Sequence, residues 1–351
     1  MPEPDLAHAQ TSHPTAPQKA PDAAPQTAPD AAAHTAPVTA YDLVALGEPL
    51  IEFNQRCPDR PEFTRGFGGD TSNAVIAAAR MGARCAYVAQ VGDDSFGRSL
   101  LGLWQQEGVA TAGVRVVPGA DTGLYFVSHG AAGHEFCYRR AGSAAARMGP
   151  ADLPLALLAQ TRWLHVSGIS MAISGSACDA VLAAVVHARA AGVRISFDLN
   201  YRPRLWPAAR ALALTRQLLG QCDLFFPSVD EAAALTGLAE PESVIDWAHA
   251  QGARAVALKL GAQGCRISDT QALGGPQRRT LPGYPVQVLD ATGAGDCFAG
   301  ACLSQLARGA TLAEAASVAN IAAALSTQGL GAVAPLPHAA AVRAAGGQPR
   351  R

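Results

Sequence analysis

From Tyr41 onward, short apolar runs alternate with longer stretches of helical period. YDLVALG (residues 41–47) has the length and continuous apolar character of a strand buried on both faces. A run of small residues over 71–81 then reads as a helix. It closes at Gly82, a residue suited to the left-handed position after a helix. The alternation repeats: strand 85–91 and helix 95–107, stopped by Gly108; strand 163–168 and helix 178–191, ended by Gly192. Strand 193–200 precedes a helix near 208–219, strand 222–228 precedes helix 230–236, and a strand follows at 255–261. Apolar strands separated by helices predict an α/β fold, with a parallel sheet covered on both faces. Near the C-terminus, 286–290 reads as a strand. Phe298, Cys302 and Leu306 recur at helical spacing over 296–308, and Gly309 ends that run. Residues 291–295 are then a strand-to-helix turn.

Two stretches break the rhythm. Residues 49–67 and 114–141 are strand-like, with glycine turns, and GLYFVSHGAAGHEFCYRR suggests a hairpin around Gly130–Gly133. They predict a small β-sheet standing off the main domain as a lid over the crevice at the strand C-termini. Residues 1–40 are Ala- and Pro-rich, with no apolar signal-peptide core and no arginine. They are expected to be a disordered tail. The folded domain is expected over 41–337, with a C-terminal tail at 338–351.

Composition narrows the function. Apolar residues make up 49% of the 351, enough for a sizeable core, and the net charge is −1. No basic stripe is present, which argues against a nucleic-acid partner, and no apolar stretch approaches the ~20 residues a membrane span needs. The eight cysteines are scattered without a C-x-x-C pair, so the expected setting is reducing and cytoplasmic. Lysine occurs only at Lys19 and Lys259.

The segment VLDATGAGDCFAG (288–300) carries the most chemical information. It is not a Walker loop, which needs G-x-x-x-x-G-K-[ST]. It also lacks the last small residue of a dinucleotide fingerprint, and Asp296 would repel a pyrophosphate. A carboxylate beside the free N–H groups of a helix start fits phosphoryl transfer instead. The N–H groups stabilise charge in flight, and the carboxylate takes a proton from the attacking hydroxyl. The helix dipole and burial act on that carboxylate in opposite directions, an expectation of a base charged near neutrality. A plain glycine turn with an acid near the helix cap is the competing explanation.

D-A-T-G-A-G-D (290–296) resembles the C-terminal signature of the ribokinase-like (PfkB-type) carbohydrate kinases. Gly68-Gly69-Asp70-Thr71-Ser72-Asn73 resembles that family's G-G-x-x-x-N, and the segment from Val91 to Gly97 resembles its G-x-D-x-x-G. The resemblance covers roughly 41–337. It implies a three-layer α/β/α domain with a β-sheet lid, ATP and Mg²⁺ as cofactors, and a homodimer formed through the lids, and it leaves room for a monovalent cation. By position, Asp296 would be the base and Gly293, Ala294 and Gly295 the anion hole. Gly69, Asp70 and Asn73 would bind sugar hydroxyls. Lys259, Gly261 and Gly264 resemble the nucleotide loop, and Asn200, Ser228 and Asn320 resemble further nucleotide positions. A polar residue on an exposed helix face would account for Asn320 equally well. The family's N-x-x-E, which places Mg²⁺ through waters, reads here Ser228-Val-Asp-Glu231, with serine in the asparagine position.

Asp198-Leu-Asn200-Tyr-Arg202-Pro-Arg-Leu-Trp206 resembles fructokinases and 2-keto-3-deoxygluconate kinases, and Tyr138-Arg-Arg140-Ala-Gly-Ser-Ala leans toward the latter. A sugar acid carries a carboxylate that arginine forks bind bidentately, which suits Arg140 and Arg202, with Tyr125 and Tyr138 as lid contacts. The expected activity is ATP-dependent phosphorylation of a sugar acid. Fructokinase is the alternative, and a non-catalytic sensor on the same fold is a more distant one.

Overall fold

The structure is a computed structural model and describes residues 39–55, 57, 60–130 and 133–347. The expected tail over 1–40 falls almost wholly outside the described residues. In chain order the elements are β1 (Tyr41–Leu46), β2 (Leu50–Gln55), β3 (Phe63–Gly68), α1 (Asp70–Arg80), β4 (Cys85–Gly92), α2 (Ser95–Gln106), β5 (Val109–Val117), β6 (Leu124–Gly130) and β7 (Gly133–Arg139). The short α3 (Ala144–Arg147) and α4 (Leu155–Leu158) lead to β8 (Thr161–Ser167), α5 (Gly168–Ala172), α6 (Gly175–Ala190), β9 (Arg194–Asp198), α7 (Ala208–Leu219) and β10 (Leu224–Phe226). Then come α8 (Val229–Thr236), α9 (Pro241–Ala250), β11 (Ala255–Lys259), β12 (Gly264–Asp269), β13 (Gln277–Pro282), α10 (Ala294–Leu306), α11 (Leu312–Ser326) and α12 (Ala339–Gly346).

Nine strands form the main sheet in the order β13-β12-β11-β10-β9-β8-β1-β4-β5. From β11 to β5 every pairing is parallel, and β12 and β13 close one edge antiparallel. Side chains alternate between two cores, as the strand period of two requires. Leu43 and Ala45 of β1 face one core with α1, α10 and α11, whereas Val44 and Leu46 face the other with α6. The continuous apolar runs in the sequence are the direct mark of this two-sided burial.

A second sheet, β3-β2-β6-β7, forms from the stretches expected to make the lid and borders the cleft. Its hairpin turns between Gly130 and Gly133. The expected lid segment 114–141 is shorter than anticipated, because Val114–Val117 belong to β5 and pair with β4 at the edge of the main sheet. Their alternation looks alike in both places, since an edge strand is also only half covered. The expected C-terminal tail is partly helical: α12 inserts Val342 into the core beside α11. The expected strand over 286–290 does not form, and Val288 and Leu289 are exposed. Only the N–H groups of Leu289 and Asp290 are tied down, both to the Thr327 carbonyl.

Two glycines set how closely the site-bearing helices approach. Gly69 caps α1 at φ 107, and a Cβ there would lie 2.3 Å from the Glu48 carbonyl. Gly300 lets α10 lie against α1, since its Cβ would meet the Ala74 carbonyl at 2.0 Å. Gly300→Ala must push the two helices apart, and overpacking of this kind costs about 1–3 kcal/mol. We expect a urea midpoint lowered accordingly, together with reduced catalytic turnover. An unchanged midpoint would show that the contact yields without cost.

Candidate active site

A large cleft of about 1410 Å³ opens between the lid and the C-terminal ends of the parallel strands. That is the end of an open α/β sheet where ligands bind. Its volume exceeds the 300–1,000 Å³ of a typical single-ligand pocket, so two small molecules fit side by side.

The glycine loop forms one wall. Asp290 organises it: Oδ1 accepts from the Thr292 N–H at 2.9 Å and its hydroxyl at 2.6 Å, while Oδ2 accepts from the Gly331 N–H at 2.9 Å. Gly293 caps α10 in the left-handed region at φ 76, facing the backbone of Ala332. The Ala294 N–H donates to the Ala291 carbonyl at 3.2 Å, and Ala294 does not line the cleft. This corrects the expected anion hole. Among the described residues, the N–H groups left without an acceptor at this helix start are those of Gly293, Gly295 and Asp296.

Asp296, in the first turn of α10, is the centre of a buried polar cluster. Its Oδ2 accepts from Asn73 Nδ2 at 2.8 Å, a bond that links α10 to α1. Asn200 follows β9 and bridges two acids, with Nδ2 3.4 Å from Asp70 Oδ2 and 3.5 Å from Asp296 Oδ1. It is the one non-glycine with positive φ among the described residues, at 37°. Such backbone strain collects at functional sites. Asp70, at the first position of α1, also accepts from the Ser167 hydroxyl. Asp198 ends β9, and Lys259 ends β11. They form a buried ion pair at 2.8 and 2.9 Å across the intervening β10. A Cβ on Gly295 would sit 3.3 Å from Lys259 Nζ, so this ammonium lies over the first turn of α10.

Three carboxylates so close together cannot all be comfortable as anions. Burial, then the Asp70 and Asp198 carboxylates, push Asp296 up to about 8 against the opposing pull of Asn73 and Lys259. Burial likewise raises Asp70, and it raises Asp198 to about 6 in spite of Lys259. Burial acts to lower Lys259, but Asp198 and Glu231 outweigh it and the ammonium is held above its ordinary value. Desolvation and like charge oppose the helix dipole here and hold the Asp296 carboxyl above the ordinary carboxylate range.

At the lid, the Tyr125 hydroxyl donates to the Glu52 carboxylate, and its ring stacks on Tyr138 at 5.7 Å. Tyr125 is buried, whereas Tyr138 is 42% exposed. Arg140 is committed to Glu48, a buried carboxylate raised to about 7 by desolvation against the arginine's pull. Arg202 is half exposed at the rim and meets Glu231 Oε1 at 3.1 Å. The other Glu231 oxygen accepts from the Ser228 N–H at 3.2 Å, and the Ser228 hydroxyl accepts in turn from the Glu231 N–H. Serine in the expected asparagine position is thus the cap of α8.

Lys259 and Gly261 line the cleft, as do Gly69, Asp70, Asn73, Asn200 and Ser228. Gly264 and Asn320 do not line it. A Cβ on Gly264 would strike the Leu281 carbonyl, and Asn320 donates to the carbonyls of Leu281 and Pro282 at 3.2 Å, so both hold β13 in place. Asn200, expected beside the nucleotide, stands between Asp70 and Asp296 instead. Sequence reasoning did not single out Glu48, Asp198 or Arg204. Asp198 opens a quoted motif, and Arg204 shares it with Arg202 and also lines the cleft. Glu48 carried no signal until its arginine partner came into view.

Residues 40–339 match the family model for pfkB family carbohydrate kinases. A 2-dehydro-3-deoxygluconokinase from Thermoproteus tenax is 38% identical over 267 residues, covering 74% of this chain and 79% of the relative. Fructokinase-2 of Solanum habrochaites is 33% identical over 274 residues, covering 75% and 81% respectively. A fructokinase from Vibrio cholerae, solved with fructose, ADP and calcium ion, superposes with a TM-score of 0.76 at 26% identity, covering 86% of this chain and 98% of that one.

The raised Asp296 has a consequence for stability. A carboxyl held up in the folded state contributes stability fully below its unfolded value of 3.8, and that stability is lost as pH rises toward about 8. Asp296→Asn, neutral throughout, should gain on the wild type across this window. Its melting midpoint is expected to exceed that of the wild type by at least about 2 °C at pH 8 and by little at pH 4. A difference independent of pH would contradict the electrostatic origin.

Proposed function

We propose that this chain, which belongs to the pfkB family of carbohydrate kinases, phosphorylates 2-keto-3-deoxygluconate at its terminal hydroxyl. The observation that carries the reaction type is Asp296: half-buried against the cleft, hydrogen-bonded to Asn73, and set in a helix start with free N–H groups. The substrate rests on the identity to the Thermoproteus relative and on Arg202 and Arg204 at the same end of the cleft.

Asp70, Asn73 and the backbone of Gly69 bind sugar hydroxyls, and Arg202 with Arg204 faces the carboxylate. Asp296 accepts the proton of the attacking hydroxyl. The N–H groups of Gly295 and Asp296, with Lys259 beside them, hold charge on the phosphoryl group as it passes. The nucleotide lies toward Lys259 and Gly261. Among the described residues no cluster of three or more His, Cys, Asp or Glu is arranged to hold a metal. Both Glu231 oxygens already have protein partners. A Mg²⁺ brought in with the nucleotide would be held by Glu231 only through a water, and it would neutralise phosphate charge.

Fructokinase remains the second reading, and one observation favours it. Glu48 neutralises Arg140 and Glu231 partly neutralises Arg202, so the positive charge facing a sugar acid is smaller than the two arginines alone suggest.

Because the base must lose its proton, kcat/KM should rise with pH and level off above about 8, the value for Asp296 in the free enzyme. Asp296→Asn should lower kcat by roughly 10²–10⁴-fold on the alkaline plateau, with a smaller gap at lower pH, where the wild-type carboxyl is protonated. A flat profile from pH 6 to 9 would remove Asp296 as the titrating base. A panel of 2-keto-3-deoxygluconate, fructose, ribose and adenosine, read by ADP release, tests the substrate. Arg202→Ala should cost the sugar acid about tenfold or more and fructose little. Better turnover of fructose by the wild type would overturn the sugar-acid reading.

A further inference from the structure

The ion pair between Asp198 and Lys259 stands where the fold gains little from it. Asp198 lies opposite Phe226 in the sheet register, and Phe226 and Ala257 face the core beneath α10. Lys259 follows Ala257 by two positions, so the strand period puts its side chain on that same face. The strands that carry the pair, β9 and β11, are separated by β10 and so stand about 9.5 Å apart. Both side chains lean across the end of β10 to meet. Asp198 is buried, and taking two charges out of water costs desolvation that a packed apolar pair would avoid.

The position of the ammonium is the second unexplained feature. It stands over the first turn of α10, 3.3 Å from where a Cβ on Gly295 would lie. That is the positive end of a helix dipole, where the N–H groups of Gly293, Gly295 and Asp296 have no acceptor, and a cation there is disfavoured. Burial would also strip its proton, but Asp198, and then Glu231, hold it charged. Both Asp198 oxygens accept from Nζ, at 2.9 and 2.8 Å. An ammonium has three donors, so one is left for the cleft that Lys259 lines. The carboxylate is itself fixed, because Oδ1 also accepts from the Asn200 N–H at 3.2 Å.

We propose that Asp198 is a positioning residue for phosphoryl transfer: it holds the Lys259 ammonium against the α10 dipole, so that the cation and the free N–H groups face one passing phosphoryl group together. Asp198 does not line the cleft and therefore acts through Lys259. The role rests on the reading of Asp296 as the base beside that helix start.

The other groups that face Asp296 and the pair are Asp70 on α1, Tyr87 on β4, Tyr125 on β6, His165 on β8, Arg202 after β9 and Glu231 on α8. Burial keeps the two phenols and the imidazole uncharged. The Asp198 carboxylate raises the proton affinity of Asp296, and the Lys259 ammonium lowers it by less.

Steady-state rates of the full-length protein are measured by ADP release from pH 6 to 9, with the sugar it turns over best. Asp198→Asn should lower kcat by about 10²-fold, the cost of a misplacement near 1 Å, and leave the sugar KM nearly unchanged. The pH at which kcat/KM levels off should fall below the wild-type value, because the larger of the two opposing charges on Asp296 is gone. Lys259→Met should be equally slow, and adding Asp198→Asn to it should cost nothing further. That double variant carries neither charge of the pair, so it folds without the unpaired buried ammonium of Asp198→Asn. Asp198→Glu keeps the charge and moves the ammonium by one methylene. A lowered kcat there, at a wild-type melting midpoint, separates position from charge balance. Losses that add in the double variant, or a wild-type kcat in Asp198→Asn, would overturn the role of Asp198. Near wild-type turnover in Asp296→Asn would instead remove the base reading on which that role rests.

Discussion

The cluster of carboxylates at the C-terminal ends of the strands is the constraint around which the rest of this structure is arranged. Asp70, Asp198 and Asp296 come from α1, β9 and α10, and they meet at the ends of the strands, Asp70 and Asp198 buried and Asp296 half-buried against the cleft. Such a grouping is tolerable only because Lys259 answers Asp198 while Asn73, Asn200 and Ser167 donate to the other two. What remains unbalanced is carried by Asp296 as a raised affinity for a proton. On the proposed reading, that raised proton affinity is what a general base needs, and it costs stability.

The close approach of α1 and α10 follows from that constraint. Asn73 reaches Asp296 only because Gly300 allows the two helices to touch and Gly69 turns the chain into α1 beneath the Glu48 backbone. The lid adds another layer: Glu48, just before its first strand, grips Arg140, just after its last, so a buried ion pair ties its entry to its exit. That fastening reduces the charge Arg140 can offer a substrate, which is why the specificity argument shifts to Arg202 and its neighbour Arg204.

Much of the fold could be read along the chain. Strands buried on both faces show as unbroken apolar runs, and α1, α2, α6, α7, α8 and α10 announce themselves by period, several with a glycine stop, whereas the short α3, α4 and α5 gave no signal. The failures share a cause. Val114–Val117 and the segment 286–290 are apolar-alternating stretches whose fate depends on what lies beside them, and sequence pattern does not identify the neighbour. Likewise α12 is poor in large side chains and packs because α11 offers it a surface.

For the site, the residue types of the glycine run and the presence of Asp296 in it were enough to indicate phosphoryl transfer, since few other chemistries place an acid at a helix start lined with glycine. The tertiary structure decided the rest. It spent the Ala294 N–H within the loop, gave Asn320 and Gly264 to the support of β13, moved Asn200 between two acids, and matched Arg140 with Glu48. Each of these outcomes turns on a partner distant in sequence. The proton affinity of a carboxylate and the free charge of an arginine are properties of the groups within a few ångströms, and only the folded chain brings those groups together.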